Sequence, residues 1–501
     1  MSVNNCIECG SSNVVNKGQV ERYNATFTRH KCKDCDTNFY LPIGASNDQS
    51  VESKRKKSTK YVITSIQSNT SLNGGFLAAL EIYAEYNNAE LMVIPVKTGI
   101  GNIHEFPTEI EKYILDNNIR LHPHLKVMGA IKIGATIDSP LSGLSSLSMG
   151  DSLIIGHNQL QMFTLPVQPD EHPIILTTTG TLSDKDYDSS KNGHKAHFNH
   201  SFSAVVIELD GDMFHLRHLN FDGNGFYDIN RYYDSYGTTN DNFAAEAIIT
   251  GDEHAIFVDP DVRNATYGVD GIINTISPKY IVRHDVLDCY SISHHHKNNN
   301  LVKFKKFVTG TNDIRSELAD TLDFIVETTP KNTINIIVPS NHNDHLTRWL
   351  NECDIKNEPW NAIVYHFLMF NMLNAINDTG EVPDTFKLYS SGFFEQEGCS
   401  VEYINRRESY KIKDIEVGLH GDAGSNGSKG SRTQFSTLSS KTIIGHSHSP
   451  GIEKGCWQVG TSSTLALEYN VGPSSWMQTH CIIYKNGKRQ LINILKGKWK
   501  A

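Results

Sequence analysis

The chain has 501 residues, 38% of them hydrophobic and 20% charged, with 46 basic against 56 acidic side chains and a formal net charge of −10. That is too apolar for a disordered chain, and no run approaches the ~18 apolar residues of a membrane span. A net negative chain has no general attraction for nucleic acid or anionic lipid, so any polyanion site must be local or carried by metal. In chain order, Met1-Ser-Val-Asn-Asn-Cys6 lacks the basic and apolar regions of an export signal, so a cytoplasmic location with no membrane partner is expected. Cys6-Ile-Glu-Cys9 and, 22 residues on, Cys32-Lys-Asp-Cys35 form two CxxC knuckles with hairpin-like alternation between them. Cys6, Cys9, Cys32 and Cys35 can wrap one tetrahedral structural zinc, which predicts a zinc ribbon over residues 1–43. Such a ribbon could bind nucleic acid, bind protein or brace a neighbour. Residues 44–60 read as a polar linker ending in the basic run Lys54, Arg55, Lys56, Lys57 and Lys60, either a solvated hinge or a phosphate-contacting patch.

Beyond it, Tyr61–Ile66 reads as a strand, Gly75–Tyr83 as a helix and Ala89–Pro95 as a second strand, a βαβ unit and so part of a parallel sheet. Further strands are expected at Val127–Ile133, Ser152–Ile155, Ile174–Thr178 and Ala204–Leu209, giving an α/β accessory domain over 61–235. It has no GxGxxG or phosphate loop, so no nucleotide cofactor is indicated. His194, His197 and His200 fall in a Gly/Asn-rich stretch that reads as a loop, and no internal repeat is legible.

From residue 244 on, five short clusters of metal-competent side chains each follow an expected strand. They are Asp252-Glu-His254, His284-Asp285 with Asp288, Asn341-His342, His420-Gly-Asp422 and Gly445-His446-Ser-His448. Side chains at the carboxyl ends of neighbouring strands converge on one rim of a sheet, and mixed oxygen and nitrogen donors there suit manganese, iron or zinc. Singly each cluster is weak; five in this order are a constellation.

Here the sequence resembles the calcineurin-like metallophosphoesterases, whose ordered signature is Asp-x-His, Gly-Asp-x-x-(Asp/Asn), Gly-Asn-His-(Asp/Glu), a lone His and Gly-His-x-His. The resemblance covers roughly 244–485, within an expected domain over 244–501, with His284 and Ser340 standing where that family usually has Gly. It implies a β-sandwich flanked by helices, so the whole is expected to be α/β: zinc ribbon, middle α/β domain and phosphoesterase domain. It further implies one divalent cation held by Asp252, His254, Asp285 and His448 and a second by Asp285, Asn341, His420 and His446, with Asp285 bridging. Manganese is the expected metal, with magnesium, iron or zinc as alternatives. The resemblance assigns His342 as proton donor, and Asp288 as a carboxylate orienting a ligand imidazole. His294, His295 and His296 stay open between phosphate contact and an exposed loop.

Cys289-Tyr290 after Asp288 departs from the phosphoprotein phosphatases, and two N-terminal domains exceed what a small substrate needs. The layout is similar to an SbcD-type nuclease core and, more narrowly, to the early host-DNA-degrading nucleases of large tailed bacteriophages. That resemblance implies a DNase using a two-metal-activated hydroxide on DNA in the bacterial cytoplasm. A phosphoesterase for RNA, nucleotides or phosphoproteins, and a nonenzymatic binding protein, remain the alternatives. Self-assembly is left open.

Overall fold

The structure, a computed structural model, describes residues 11–22, 25–42, 58–97, 104–168, 171–240, 245–468 and 470–501. The chain divides into two compact units, Met1–Lys57 and Ser58–Ala501.

In the first unit β1 (Val14–Arg22), β2 (Ala25–Cys32) and β3 (Asn38–Pro42) form an antiparallel meander. Cys32 closes β2 and Cys35 lies in the turn to β3, where the Asn13 side chain donates to Asp34 at 2.8 Å. Cys6, Cys9 and the basic run 54–57 lie outside the described residues. Lys60, expected in the linker, instead belongs to the first strand of the second unit and pairs with Glu208 at 2.7 Å.

That second unit is built from short apolar runs that alternate between two faces. Its first half holds β4 (Lys60–Gln67), β5 (Glu90–Val96), β6 (Asn118–His122), β7 (Leu125–Met128), β8 (Ser152–Ile155), β9 (Gln161–Leu165), β10 (Ile174–Thr178), β11 (Ser203–Asp210) and β12 (Met213–Asn220). A small sheet follows, β13 (Gly225–Asp228), β14 (Arg231–Asp234) and β15 (Gly237–Asn240). The second half holds β16 (Ala245–Ile249), β17 (Tyr280–Arg283), β18 (Ile334–Ile337), β19 (Val401–Tyr403), β20 (Lys411–Ile412), β21 (Ile415–Glu416), β22 (Lys441–Ile444), β23 (Gly451–Glu453), β24 (Cys456–Gln458), β25 (Gln478–Tyr484) and β26 (Arg489–Ile494).

The two halves are not separate domains. One ten-stranded sheet runs β20-β21-β22-β24-β23-β9-β10-β8-β7-β6 and so crosses from one half to the other through the antiparallel β23–β9 pair. Facing it are the sheets β19-β18-β17-β16-β25-β26 and β12-β11-β4-β5. Side-chain amides join the edges of these two: Asn220 donates to the Arg489 carbonyl at 2.9 Å, Gln490 to His218 at 3.0 Å and Asn493 to Leu216 at 3.2 Å. A single core fills the space between the layers, with Ile63, Val205, Ile154 and Met162 from one half and Ile249, Val282, Ile443 and Trp457 from the other. The boundary expected between 235 and 244 therefore divides no compact unit.

An internal repeat, not legible in the sequence, emerges from the pairing. Read outward from the β23–β9 junction, both halves of the long sheet show the same senses: antiparallel, parallel, parallel, antiparallel. In the opposite layer β26-β25-β16-β17 repeats β12-β11-β4-β5, again with identical senses and in the same chain order. Helices cover the outer faces of both: Gly74–Tyr86 packs Phe76 and Leu80 on Val62 and Val206, and Pro260–Tyr267 with Ile272–Ile276 packs Val262 and Ile272 on Ile248 and Ile482. The second half adds a helical layer, Asn300–Thr309 to Thr385–Glu397, around Leu318, Leu346 and Phe386. His194 and His197, expected in a loop, lie on the helix Lys191–Asn199, which Ser190 caps by accepting from the Gly193 N–H. Among the described residues no helix is long and apolar enough to cross a membrane.

Candidate metal centre

Four of the five clusters come together at the carboxyl ends of β16, β17 and β22 and the segment after β21. Two glycines make the approach possible. A Cβ on Gly251 would meet the Thr461 backbone at 2.8 Å, and one on Gly445 would stand 2.2 Å from Asp252 Oδ1. His254, Asp285, His446 and His448 all hold positive φ, at 44°, 45°, 74° and 58°. Non-glycine residues in that region are strained, and such strain concentrates at functional sites. Behind the rim the fully buried Arg283 pairs with Glu253 at 2.8 Å, donates to Asn335 at 2.8 Å and to Thr328 at 2.9 Å, fixing the segment between Asp252 and His254.

Asp252, His254, Asp285 and His448 are buried and turn their ligand-capable atoms toward one point. His448 Nε2 lies 3.2 Å from Asp252 Oδ2, and the Nε2 atoms of His254 and His448 stand 3.1 Å apart. Two imidazole nitrogens at that distance are held together only by a shared proton or cation. Asp285 Oδ2 is 4.0 Å from His254 Nε2 and 3.0 Å from His420 Nε2, so one carboxylate oxygen lies near both imidazoles. The His446 ring lies 5.3 Å from that of His420. Asn341 opens the helix Asn341–Glu352. Several buried atoms here have no hydrogen-bond partner: Asp252 Oδ1, Asp285 Oδ1, Asn341 Oδ1 and His284 Nε2. Buried polar atoms are costly unless paired, and this oxygen and nitrogen donor set fits a transition-metal or magnesium-like cation.

The electrostatics make the same demand. Burial pulls the His254 pKa down, but the hydrogen bond that His254 Nδ1 donates to Asp288 at 2.7 Å and the charges of Asp288, Asp285 and Asp252 outweigh it and raise it to about 9. His420 reaches about 9 in the same way, with Asp285 and Asp252 overcoming burial. The Asp285 carboxyl, though burial pushes it up, is held well below the usual range, chiefly by His420. Three carboxylates thus gather cationic charge wherever they can.

Of the remaining candidates, His342 stacks edge-on against His254 at 4.8 Å between ring centres, and Asp288 orients His254. His294 and His295 stand farther out, in a cluster with His345. One member of the centre and one of the outer cluster escaped the sequence reading. His284, read only as a departure in the loop, is fully buried, with its Nδ1 3.2 Å from His420 Nδ1, and groups with Asp252 and His420. His345 follows His342 by three residues, a helical spacing that would have placed both on one face.

In the first half the same positions carry no such set. The end of β4 reads Ser65-Ile66-Gln67-Ser68 where the end of β16 reads Gly251-Asp252-Glu253-His254, and the turn after β8 reads Gly156-His157-Asn158-Gln159 where that after β22 reads Gly445-His446-Ser447-His448. Neutral side chains bond to each other instead: Asn158 donates to Gln67 at 2.5 Å and to Tyr187 at 2.9 Å. Burial pushes His157 down to about 4, and its Nε2 lies 3.2 Å from the Gly134 carbonyl.

Fold and centre together define a mixed α/β protein whose buried aspartates and histidines could hold metal ions. The chain is 34% identical over 468 residues to Protein A1 of Escherichia phage T5, a match that spans 89% of this chain and 84% of that protein. It belongs to the family of that phage protein. No family model matches the chain, and no solved structure matches it.

Proposed function

We propose that the protein is a metal-dependent phosphodiesterase of the calcineurin-like type, acting on DNA in the cytoplasm of a phage-infected bacterium. The observation that carries this reading is the place of Asp285, one oxygen of which lies 4.0 Å from His254 Nε2 and 3.0 Å from His420 Nε2. A carboxylate so placed suits two cations sharing a ligand. Asp252, His254 and His448 would complete one site; His420, His446 and Asn341, with His284 beside them, the other. Two divalent ions there would supply a water nucleophile at neutral pH and offset the phosphate's charge.

The chain's own residues have separate tasks. The carboxylates and imidazoles would hold the two ions, and the positive charge so gathered would let an anionic phosphate sit where carboxylates alone would repel it. As the water oxygen bonds to phosphorus and the opposite P–O bond breaks, His342 gives a proton to the departing alkoxide. Asp288 keeps His254 in the tautomer that presents Nε2. Cys32 and Cys35, with Cys6 and Cys9, would hold a structural zinc. A phage relative supports the setting.

The test is plasmid DNA incubated with the purified protein and manganese, beside EDTA and Asp285→Asn controls. Cleavage confined to the untreated wild type is expected. Intact plasmid throughout, with RNA or a nucleotide phosphoester turned over instead, would reassign the substrate.

A further inference from the structure

A cavity of about 320 Å³ opens beside the metal centre, between the helix Asn341–Glu352, the segment Ser291–Lys297 and the helix Asn300–Thr309. It is joined to the centre by imidazoles: from His254 to His342 is 4.8 Å between ring centres, from His342 to His345 5.1 Å, from His345 to His294 4.8 Å and from His294 to His295 3.9 Å. One helix face carries this path, since Asn341, His345, Arg348 and Glu352 recur at helical spacing.

The lining lacks partners. Ser291 Oγ and the Nδ1 atoms of His294, His296 and His345 are buried and make no hydrogen bond. Burial holds the His294, His296 and His345 imidazoles neutral, so each keeps one N–H to donate. Lys297, Lys303, Lys306 and Arg348 surround them. Of the acidic side chains at the rim, Glu352 is paired with Arg348 at 2.9 Å and Glu358 accepts from Trp349 at 3.1 Å. Trp360 and Phe307 expose ring surface on the same wall. Neutral N–H donors ringed by cations and backed by aromatic faces match a phosphate with its base, whereas the cations oppose a third metal ion.

We propose that this cavity binds the nucleotide on the leaving-group side of the scissile phosphate, with His294, His296 and His345 toward its phosphate and Trp360 stacking its base. The direction follows from His342: the group that protonates the leaving oxygen stands between the centre and the cavity. The volume lies within the roughly 300–1,000 Å³ of small-molecule sites. This inference rests on the phosphodiesterase reading.

The experiment compares a single-stranded 20-nucleotide DNA with bis(p-nitrophenyl) phosphate, which presents a diester but no following nucleotide. In the manganese-loaded full chain, His345→Ala and Trp360→Ala are each expected to lower kcat/KM on DNA about tenfold, through KM, and to leave the small diester unchanged. Equal losses on both substrates, no loss on DNA, or one fewer manganese ion per chain in His345→Ala would overturn the proposal. If the wild type cleaves neither substrate, the phosphodiesterase reading fails and calorimetry in EDTA decides about the cavity. Binding of a 5′-phosphorylated thymidine dinucleotide that His345→Ala weakens tenfold supports a nucleotide site there; no binding overturns it.

Discussion

His342 Nδ1 lies 2.8 Å from the main-chain carbonyl of Asp288. A carbonyl only accepts, so the ring proton sits on Nδ1 and Nε2 is the atom that takes up and releases the exchangeable proton. His342→Ala is therefore expected to lower kcat on DNA, whose alkoxide leaving group needs a proton, by about 10²–10⁴-fold, the usual range for a general acid. Bound manganese should be unchanged. Metal loss in this variant, measured by elemental analysis, would recast His342 as a ligand.

The carboxylate of the same Asp288 holds His254 at 2.7 Å. Removing its charge loosens the imidazole without deleting a ligand. Asp288→Asn is expected to weaken manganese binding about 10–100-fold, with DNA cleavage recovered when manganese is raised in proportion.

Metal binding and proton binding compete here. His254 and His420 carry pKa values raised to about 9 in the metal-free protein, so both are protonated at pH 7 and must each lose a proton to ligate. Apparent manganese affinity should climb from pH 6 toward 9 and level off above it. The slope is at most about 100-fold per pH unit for two protons released. Calorimetry in buffers of different ionisation enthalpy counts those protons; a pH-independent affinity would exclude these two imidazoles from the ligand set.

The clusters were legible because the rim combines signals that single sequences carry: an apolar run, then Gly, Asp or His within a few residues. Ser152–Ile155 and Ile174–Thr178 read correctly as strands for the same reason. The repeat was not legible because the corresponding positions carry different residue types, as Ser65-Ile66-Gln67-Ser68 against Gly251-Asp252-Glu253-His254 shows, and what the halves share is pairing order. Nor does any pattern reveal that Asn220, Gln490 and Asn493 join two sheets across more than 260 residues of chain. Lys60 looked like the end of a basic run because sequence shows charge but not its partner, Glu208. His284 looked like loop variation because only the folded chain brings it to His420.

Glu317 anchors the chain between the centre and the cavity, accepting the Tyr290 N–H at 2.9 Å and the Ser291 N–H at 2.8 Å. Burial, with Asp288 nearby, raises its pKa from 4.5 to about 7. A carboxyl raised on folding adds stability that is full below its unfolded pKa and lost as pH rises through the folded one. The span from 4.5 to about 7 corresponds to about 3 kcal/mol. Glu317→Gln carries no charge but keeps one of the two acceptor oxygens, so its Tm relative to the wild type should be more favourable at pH 8 than at pH 4.5. Equal Tm changes at both pH values would show that Glu317 does not titrate in this window.

Gly445 and Gly156 occupy corresponding turns in the two halves, and their neighbours differ in kind. A Cβ on Gly445 would lie 2.2 Å from Asp252 Oδ1, whereas one on Gly156 would lie 2.6 Å from Ile94 Cγ2. The first clash falls on a ligand that can rotate away only by leaving the centre; the second falls on packed core that can yield only at a cost of about 1–3 kcal/mol. Gly445→Ala should therefore lose metal and DNA cleavage while its metal-free form unfolds near the wild-type midpoint. Gly156→Ala should lower the midpoint and keep both ions. Chemical denaturation in EDTA and elemental analysis of the loaded proteins separate the two effects. Metal loss from Gly156→Ala without destabilisation would mean that the first half, too, takes part in holding the ions.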